Sequence, residues 1–233
     1  MFESIIEIFG NPETWAHYGD GLVKTVQLVV LSLIVGFVLA VPLAIMRASE
    51  NKFISGPVWV FTYVFRGTPL LIQLYMIYYG VTLIEGIQES IWWEIFKRAF
   101  YPCLIAFSLN TAAYTTEIFR GAILATPRGE IEAAKAYGMG WGKRMARIIL
   151  PSAFRRAIPA YSNEVIFMLH SSAIASTVTI IDLTGAARDI YARYYSPFEA
   201  FIFVALIYLA LTFCILGVFK QLEKRMLGHL QPR

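Results

Sequence analysis

Charged residues are scarce in this chain: 15% of its 233 positions are Asp, Glu, Lys or Arg, where a soluble domain carries about a quarter. Hydrophobic residues make up 58% and the mean hydropathy is +0.59. One core of this size cannot hide so much apolar surface, so lipid is part of the solvent. Soluble enzymes and nucleic-acid binders are thereby set aside. The excess of basic residues is small, 20 against 16 for a net charge of +4, and gives little reason to expect a polyanionic partner. Cysteine is nearly absent. Cys103 and Cys214 are isolated in apolar runs, with no CxxC or Cys/His cluster nearby, and read as small core or lipid-facing residues. HExxH, a nucleophile elbow and clustered carboxylates are missing, so no metal or catalytic site is expected. A phosphate-cradling GxxxxGK[ST] loop is missing too. The nearest approach, Gly138 to Lys143, is one residue short and is followed by Arg144. The amino terminus lacks the positive region of a signal peptide and no cleavage site follows it, so nothing is expected to be removed.

What is abundant is long apolar sequence. Crossing a bilayer takes about 20 apolar residues in a helix, and five runs meet that need: 25–46, 53–84 with Arg66 inside it, 99–116 continuing past Glu117 towards 125, 157–181 with Glu164 inside it, and 200–219. Irregular backbone cannot face lipid, so the expected fold is all-α and polytopic with five transmembrane helices. Basic residues cluster on one side. Arg47, Lys52, Arg120, Arg128, Lys135, Lys143, Arg144, Arg147, Arg155, Arg156, Lys220, Lys224, Arg225 and Arg233 oppose only Lys97, Arg98, Arg188 and Arg193. By the positive-inside rule the amino terminus is outside and the carboxyl terminus cytoplasmic. Residues 1–20, with Phe2, Ile5, Ile6, Ile8 and Phe9 among Glu3 and Glu7, read as an amphipathic segment on the outer interface, and 21–233 as the transmembrane domain. Trp92 and Trp93 read as interfacial anchors. Ser32, Gly36, Ala40, Ala44 and Ala48 give the first span a face of small residues, explained by close packing inside the subunit. Pro42 is expected to bend that helix.

The cytoplasmic segment 126–151 is patterned. Thr126 is a candidate cap, Pro127 suits a first turn, and helix formers follow until Gly138, a natural left-handed terminator. A second helix is expected from Trp141 to Pro151. Such a helix-turn-helix projecting from the membrane suits docking into a partner's groove. Glu132-Ala133-Ala134, Gly138, Ile148, Leu150 and Pro151 stand at the spacing E-A-A-x3-G-x9-I-x-L-P. That pattern resembles the EAA loop of bacterial ABC importer membrane subunits. The resemblance covers essentially the whole chain. Phe65 to Leu70 with Gln73, and Tyr114 to Gly121, are similar to segments of polar amino-acid permeases. Ala160 to Ile166 followed by Met168 to Ser171 is similar to M-type subunits of histidine/lysine/arginine/ornithine transporters. His170 stands where many permeases of the subgroup have Lys, which favours the M-type member of a heterodimer.

The resemblance implies a type I importer permease fold in a bacterial inner membrane. Its partners would be two ATP-binding subunits, a second homologous permease subunit and a periplasmic amino-acid-binding protein. ATP and Mg would sit on the ATPase, with no cofactor on this chain. Glu132, Ala133, Ala134, Gly138, Ile148, Leu150 and Pro151 would then couple to that ATPase. Charges at membrane depth are costly and are the natural candidates for a substrate path. Glu164 with Asn163 suits a cationic amino acid, Arg66 and Thr68 lie where Gly67 and Pro69 weaken the helix, and His170 has either a packing or a path role. Pairing of Glu164 with Arg66 or with a neighbouring subunit's base is the alternative. Glu117 and Arg120 suit an intrahelical pair, and Asp182, Arg188, Asp189 and Arg193 an outer surface. The rival function is a proton-coupled secondary transporter using Glu164 and His170; the shortness of the chain, the lack of a visible inverted repeat and the EAA spacing stand against it.

Overall fold

The computed structural model describes residues 2–227, with side chains from residue 6 onward. Arg233 of the basic tail and the side chains of Phe2, Glu3 and Ile5 lie outside the described residues. Helices α1 (Phe2–Gly10) and α2 (Pro12–Arg47) meet at Asn11, whose side chain accepts the Glu13 N–H, while Pro12 takes the first turn where its missing donor costs nothing. The helix therefore starts at Pro12, and the boundary expected between residues 20 and 21 falls inside α2. Pro42 sits within α2 without ending it.

The run 53–84 is not one helix. It divides into α3 (Lys52–Gly67) and α4 (Leu70–Tyr78), bent by 103° at the break. Pro69 supplies the reason: the residue before a proline is pushed out of helical conformation, and Thr68 is extended at φ −115°, ψ 145°. After short turns and α5 (Trp93–Phe96), α6 (Phe100–Leu124) returns through the bundle. Then come α7 (Arg128–Ala136), α8 (Trp141–Arg144), a π-helical stretch Met145–Ile149, and α9 (Leu150–Ser171). Helix α9 tails into a 3-10 stretch Ser172–Thr177, and α10 (Leu183–Tyr194) and α11 (Pro197–Leu227) complete the chain. Among the described residues there is no strand.

Pro151 does not terminate the second loop helix; it begins α9. Helical backbone runs from Trp141 to Ser171, and the Leu150 N–H reaches back five residues to the Met145 carbonyl. Widening the turn to π spacing relieves the clash a proline ring makes with the carbonyl four residues earlier.

Only α2 and α11 are long and apolar enough by themselves to cross a bilayer, with the bent pair a third, among the described residues. Packing explains the difference. Helix α6 is wrapped by α2, α3, α4 and α9, so it buries Ser108, Asn110, Thr111, Thr115 and Thr116 against protein rather than lipid. In contrast α11 exposes Leu206, Leu209, Phe213, Leu216 and Val218, as a helix bordering lipid does.

The α2–α6 seam is the most extensive helix contact among the described residues. Ser32, Gly36, Ala40 and Ala44 are buried along it, and a Cβ at Gly36 would overlap the Thr111 methyl and lie 3.1 Å from the Ser108 carbonyl oxygen. The small-residue face is thus a packing surface within the subunit. At the far end of this seam Glu117 ties three helices. Its carboxylate accepts Arg47 Nε at 3.1 Å, the Thr62 hydroxyl at 3.1 Å and Arg120 Nη1 at 3.3 Å. The expected i,i+3 pair with Arg120 is present, but its larger role is between α2, α3 and α6.

Two stability predictions follow from these contacts. Gly36→Val overpacks the seam and is expected to cost about 1–3 kcal/mol, read as a fall of roughly 2–10 °C in the unfolding midpoint of the detergent-solubilised protein; an unchanged midpoint would show that the helices can separate freely. In a double-mutant cycle, Glu117→Gln and Arg47→Gln are expected to couple by about 1 kcal/mol, whereas strictly additive effects would mean that solvent screens the pair fully.

Candidate functional site: a helix break, a buried carboxylate and a projecting loop

The break between α3 and α4 leaves carbonyls without helical partners, and buried ones must be satisfied. Gln73 and Asn110 supply the donors. Gln73 Nε2 donates to the Phe65 carbonyl at 2.8 Å, the Thr68 carbonyl at 3.0 Å and the Thr68 hydroxyl at 2.8 Å. Asn110 Nδ2 donates to the Phe65 carbonyl at 3.2 Å and to Gln73 Oε1 at 3.0 Å. The Tyr114 hydroxyl donates to the Arg66 carbonyl at 3.3 Å, and the Arg66 guanidinium lies 5.3 Å from the Tyr114 ring centre, in cation–π range. Thr68 spends its own proton on the Val64 carbonyl. Arg66 and Thr68 are both exposed at this corner. Arg66 also lines an open cleft of about 430 Å³ with Trp59, Tyr63 and Glu117.

Glu164 lies in the α6–α9 seam, 5% exposed, and accepts the Thr111 hydroxyl at 2.7 Å. No ion pair to Glu164 or to Arg66 occurs among the described residues, so the alternative of a direct Glu164–Arg66 bridge is not what this conformation holds. A carboxyl this buried, with one neutral donor and no ion-pair partner among the described residues, is a costly place for a charge. Asn163 is exposed on another face of α9 and does not join it. The Tyr114 ring stands between Arg66 and α9, 5.8 Å from Phe167. His170 is elsewhere: its Nε2 is 3.0 Å from the Thr212 hydroxyl, a hydrogen bond that joins α9 to α11.

These residues therefore form two neighbouring groups, Arg66 and Thr68 at the corner and Glu164 in the seam, with His170 and Asn163 apart. Reasoning from sequence missed Asn110 and Thr111. Their signal is the run of small polar residues in α6, Ser108, Asn110, Thr111, Thr115 and Thr116, too many for a lipid-facing helix.

In the loop, α7 exposes Glu132 and Ala133 while Ala134 is buried at 4%. Gly138 has φ +72° with open space where a Cβ would stand. Met139 N–H bonds the Ala134 carbonyl and Gly138 N–H the Lys135 carbonyl, a Schellman ending that needs the left-handed residue. Thr126 does not cap α7. Its hydroxyl donates to the Ile123 carbonyl and accepts Arg156 Nη2 at 2.7 Å, leaving Pro127 at the cap position. Ile148 and Pro151 line a cleft of about 460 Å³ with Arg147, Arg155 and Glu130. Leu150 packs beside the buried Met145, Ile149 and Ala153.

At the amino-terminal end of the bundle, Asp182 is fully buried and caps α10 by accepting the Gly185 N–H at 2.8 Å, so it is not a surface residue. Arg193 pairs with Glu13 at 3.1 Å and Asp189 with His17 at 2.9 Å, fastening α10 to α2, and Arg188 donates to the Ser176 carbonyl.

The family model for the binding-protein-dependent transport system inner membrane component matches residues 28–228. The histidine/lysine/arginine/ornithine transport system permease protein HisM of Escherichia coli K12 is 48% identical over 231 residues, 98% of this chain and 97% of that protein. The crystal structure of an amino acid ABC transporter with histidines superimposes with a TM-score of 0.82 at 32% identity, covering 94% of this chain and 98% of that one. An inward-facing MetNI methionine ABC transporter shares the fold, with a TM-score of 0.77 at 18% identity over 93% and 99%. The chain belongs to the binding-protein-dependent transport system inner membrane components, and is a multi-pass permease subunit of the ABC importer type.

Proposed function

We propose that this chain forms part of the path by which a basic amino acid, arginine, ornithine, lysine or histidine, enters a bacterium across the inner membrane. The chain crosses the membrane five times, amino terminus periplasmic and carboxyl terminus cytoplasmic, beside a second, homologous permease subunit. A periplasmic amino-acid-binding protein delivers the substrate and two ATP-binding subunits bind ATP and Mg beneath. The concentration of basic residues on one side favours this orientation, and the 48% identity to a permease named for histidine, lysine, arginine and ornithine supports the substrate class.

The observation that carries the substrate reading is the Glu164 carboxylate, buried and held by Thr111 without a cation. An ammonium or guanidinium group passing the seam would match that charge at short range, where low dielectric strengthens it. Arg66, on the adjoining corner, suits the substrate's carboxylate, while Thr68, its proton held by the Val64 carbonyl, is left as an acceptor for the substrate's α-amino group. Asn163 and His170 would enter the path only from the side of α9 facing the second subunit or α11. On the cytoplasmic side, the exposed α7 with Glu132 and Ala133, ended sharply by Gly138 and packed against the π-helical stretch, supports docking in an ATPase cleft, with Ile148, Leu150 and Pro151 as its base. Motion of α7 would then reach Glu164 through the unbroken helix from Trp141 to Ser171.

Copurification of the tagged chain from its host, followed by ATP hydrolysis with the candidate binding protein and arginine, tests the assignment. Recovery of an ATPase and a second permease with arginine-stimulated hydrolysis is expected; a solitary protein with ATP-independent transport would overturn it. Glu132→Lys inverts an exposed charge on α7 and is expected to reduce ATPase recovery about tenfold or more while the permease still elutes as a folded species. Glu164→Gln is expected to lower uptake of basic amino acids about tenfold or more with ATPase attachment intact. Undiminished uptake by that variant would leave the carboxylate only a packing role between α6 and α9.

A further inference from the structure

We propose that the cavity between the start of α2, the start of α6 and the segment after α9 is a binding site for a zwitterionic phospholipid headgroup, its phosphodiester held by Lys24 and Arg98 and its ammonium by Asp20. The cavity holds about 620 Å³. Its lining combines the charged Asp20, Lys24 and Arg98 with the apolar or aromatic Phe100, Tyr101 and Ile181. That combination of charge and hydrocarbon is the chemistry of a lipid at the shoulder between headgroup and acyl chain.

Position puts the cavity at that depth. Lys24 is the last charge before the run 25–46, and Arg98 the last before α6, so both stand where the apolar layer begins. Lys24 also heads the exposed side of α2 that continues through Leu31, Ile34, Val35 and Val38, positions that fall on one side of a helix. The cavity therefore opens onto the surface that lipid covers. Tyr101, 37% exposed, and Ile181, 48% exposed, continue the apolar border on its other side.

The charges there are available. Asp20 and Lys24 stand one turn apart, yet neither they nor Arg98 take part in an ion pair among the described residues, whereas His17 at the cavity edge is engaged by Asp189. Two cations and one carboxylate around one space match a phosphodiester and an ammonium better than a simple anion, which the carboxylate would repel. The amino-terminal end of α6 adds a favourable dipole towards phosphate. Thr179, also lining the cavity, is held at φ +64°, an unusual backbone state for a β-branched residue; such strain tends to gather where a ligand is clamped.

The inference goes beyond the transport reading and is tested without transport. The full chain, purified from membranes with the subunits that accompany it, is stripped of lipid and titrated with phosphatidylethanolamine, phosphatidylglycerol or inorganic phosphate under native mass spectrometry. Wild type is expected to retain phosphatidylethanolamine in preference to phosphatidylglycerol. The double variant Lys24→Gln/Arg98→Gln is expected to retain about tenfold less, with Lys24→Arg binding as wild type does, which separates charge from folding. Asp20→Asn is expected to shift preference towards phosphatidylglycerol. Equal retention by wild type and the double variant, or an Asp20→Asn protein with unaltered preference, would overturn the proposal, and displacement of the lipid by millimolar inorganic phosphate would assign the site to a free anion instead.

Discussion

Polar groups inside the bundle must be answered by protein, because lipid cannot answer them, and α6 carries the answers at the helix break and at Glu164, while its own Ser108, Thr115 and Thr116 hydroxyls find no hydrogen-bond partner among the described residues. That obligation organises the molecule. The helix break after Gly67 is tolerable because Asn110 and Gln73 donate to the released carbonyls of Phe65 and Thr68. Glu164 is tolerable because the Thr111 hydroxyl reaches it, and Thr111 is positioned by Gly36 on α2, where no larger residue fits. A sharp turn, a buried carboxylate and a close helix seam are three results of one central polar helix.

The same reasoning separates what the sequence made legible from what it did not. The extent of α6, the small-residue face of α2 and the left-handed Gly138 follow from periodicity, charge gaps and backbone preference and are visible in the residues themselves, whereas α11 runs from Pro197 to Leu227, well beyond the apolar run 200–219. The α3–α4 bend was less legible: Gly67 and Pro69 signal weakness, but hydropathy continues unbroken across them, and only the donors on α6 and α4 make a right-angled corner affordable. Thr126 and Pro151 misled in the same direction. Each carries a strong local preference, a cap or a stop, and each is overridden: Thr126 is claimed by Arg156 across the helix pair, and Pro151 is absorbed by a π turn.

The candidate site shows a similar division. The residue types at Glu164, Arg66 and Thr68 announce themselves by their cost in an apolar setting. Their mutual arrangement does not, because it depends on which face of α9 meets α6. Adjacent residues on a helix point about 100° apart, so Asn163 and Glu164 part company although sequence sets them side by side. His170, six residues on, turns to α11. The loop residues are more legible because their roles are local: Gly138 ends a helix whose last residue, Ala136, stands two positions before it, and the Ala134 carbonyl is bonded by the Met139 N–H in that same turn.

The uninterrupted helix from Trp141 to Ser171 is roughly 45 Å long by its rise. A rod of that kind fixes phase as well as distance. Adding or removing one residue between Pro151 and Glu164 would swing the carboxylate through about 100° about the rod's axis, out of reach of Thr111, with almost no change in composition. The number of residues between the loop and the carboxylate is therefore a structural quantity in its own right, as binding as the identity of either end.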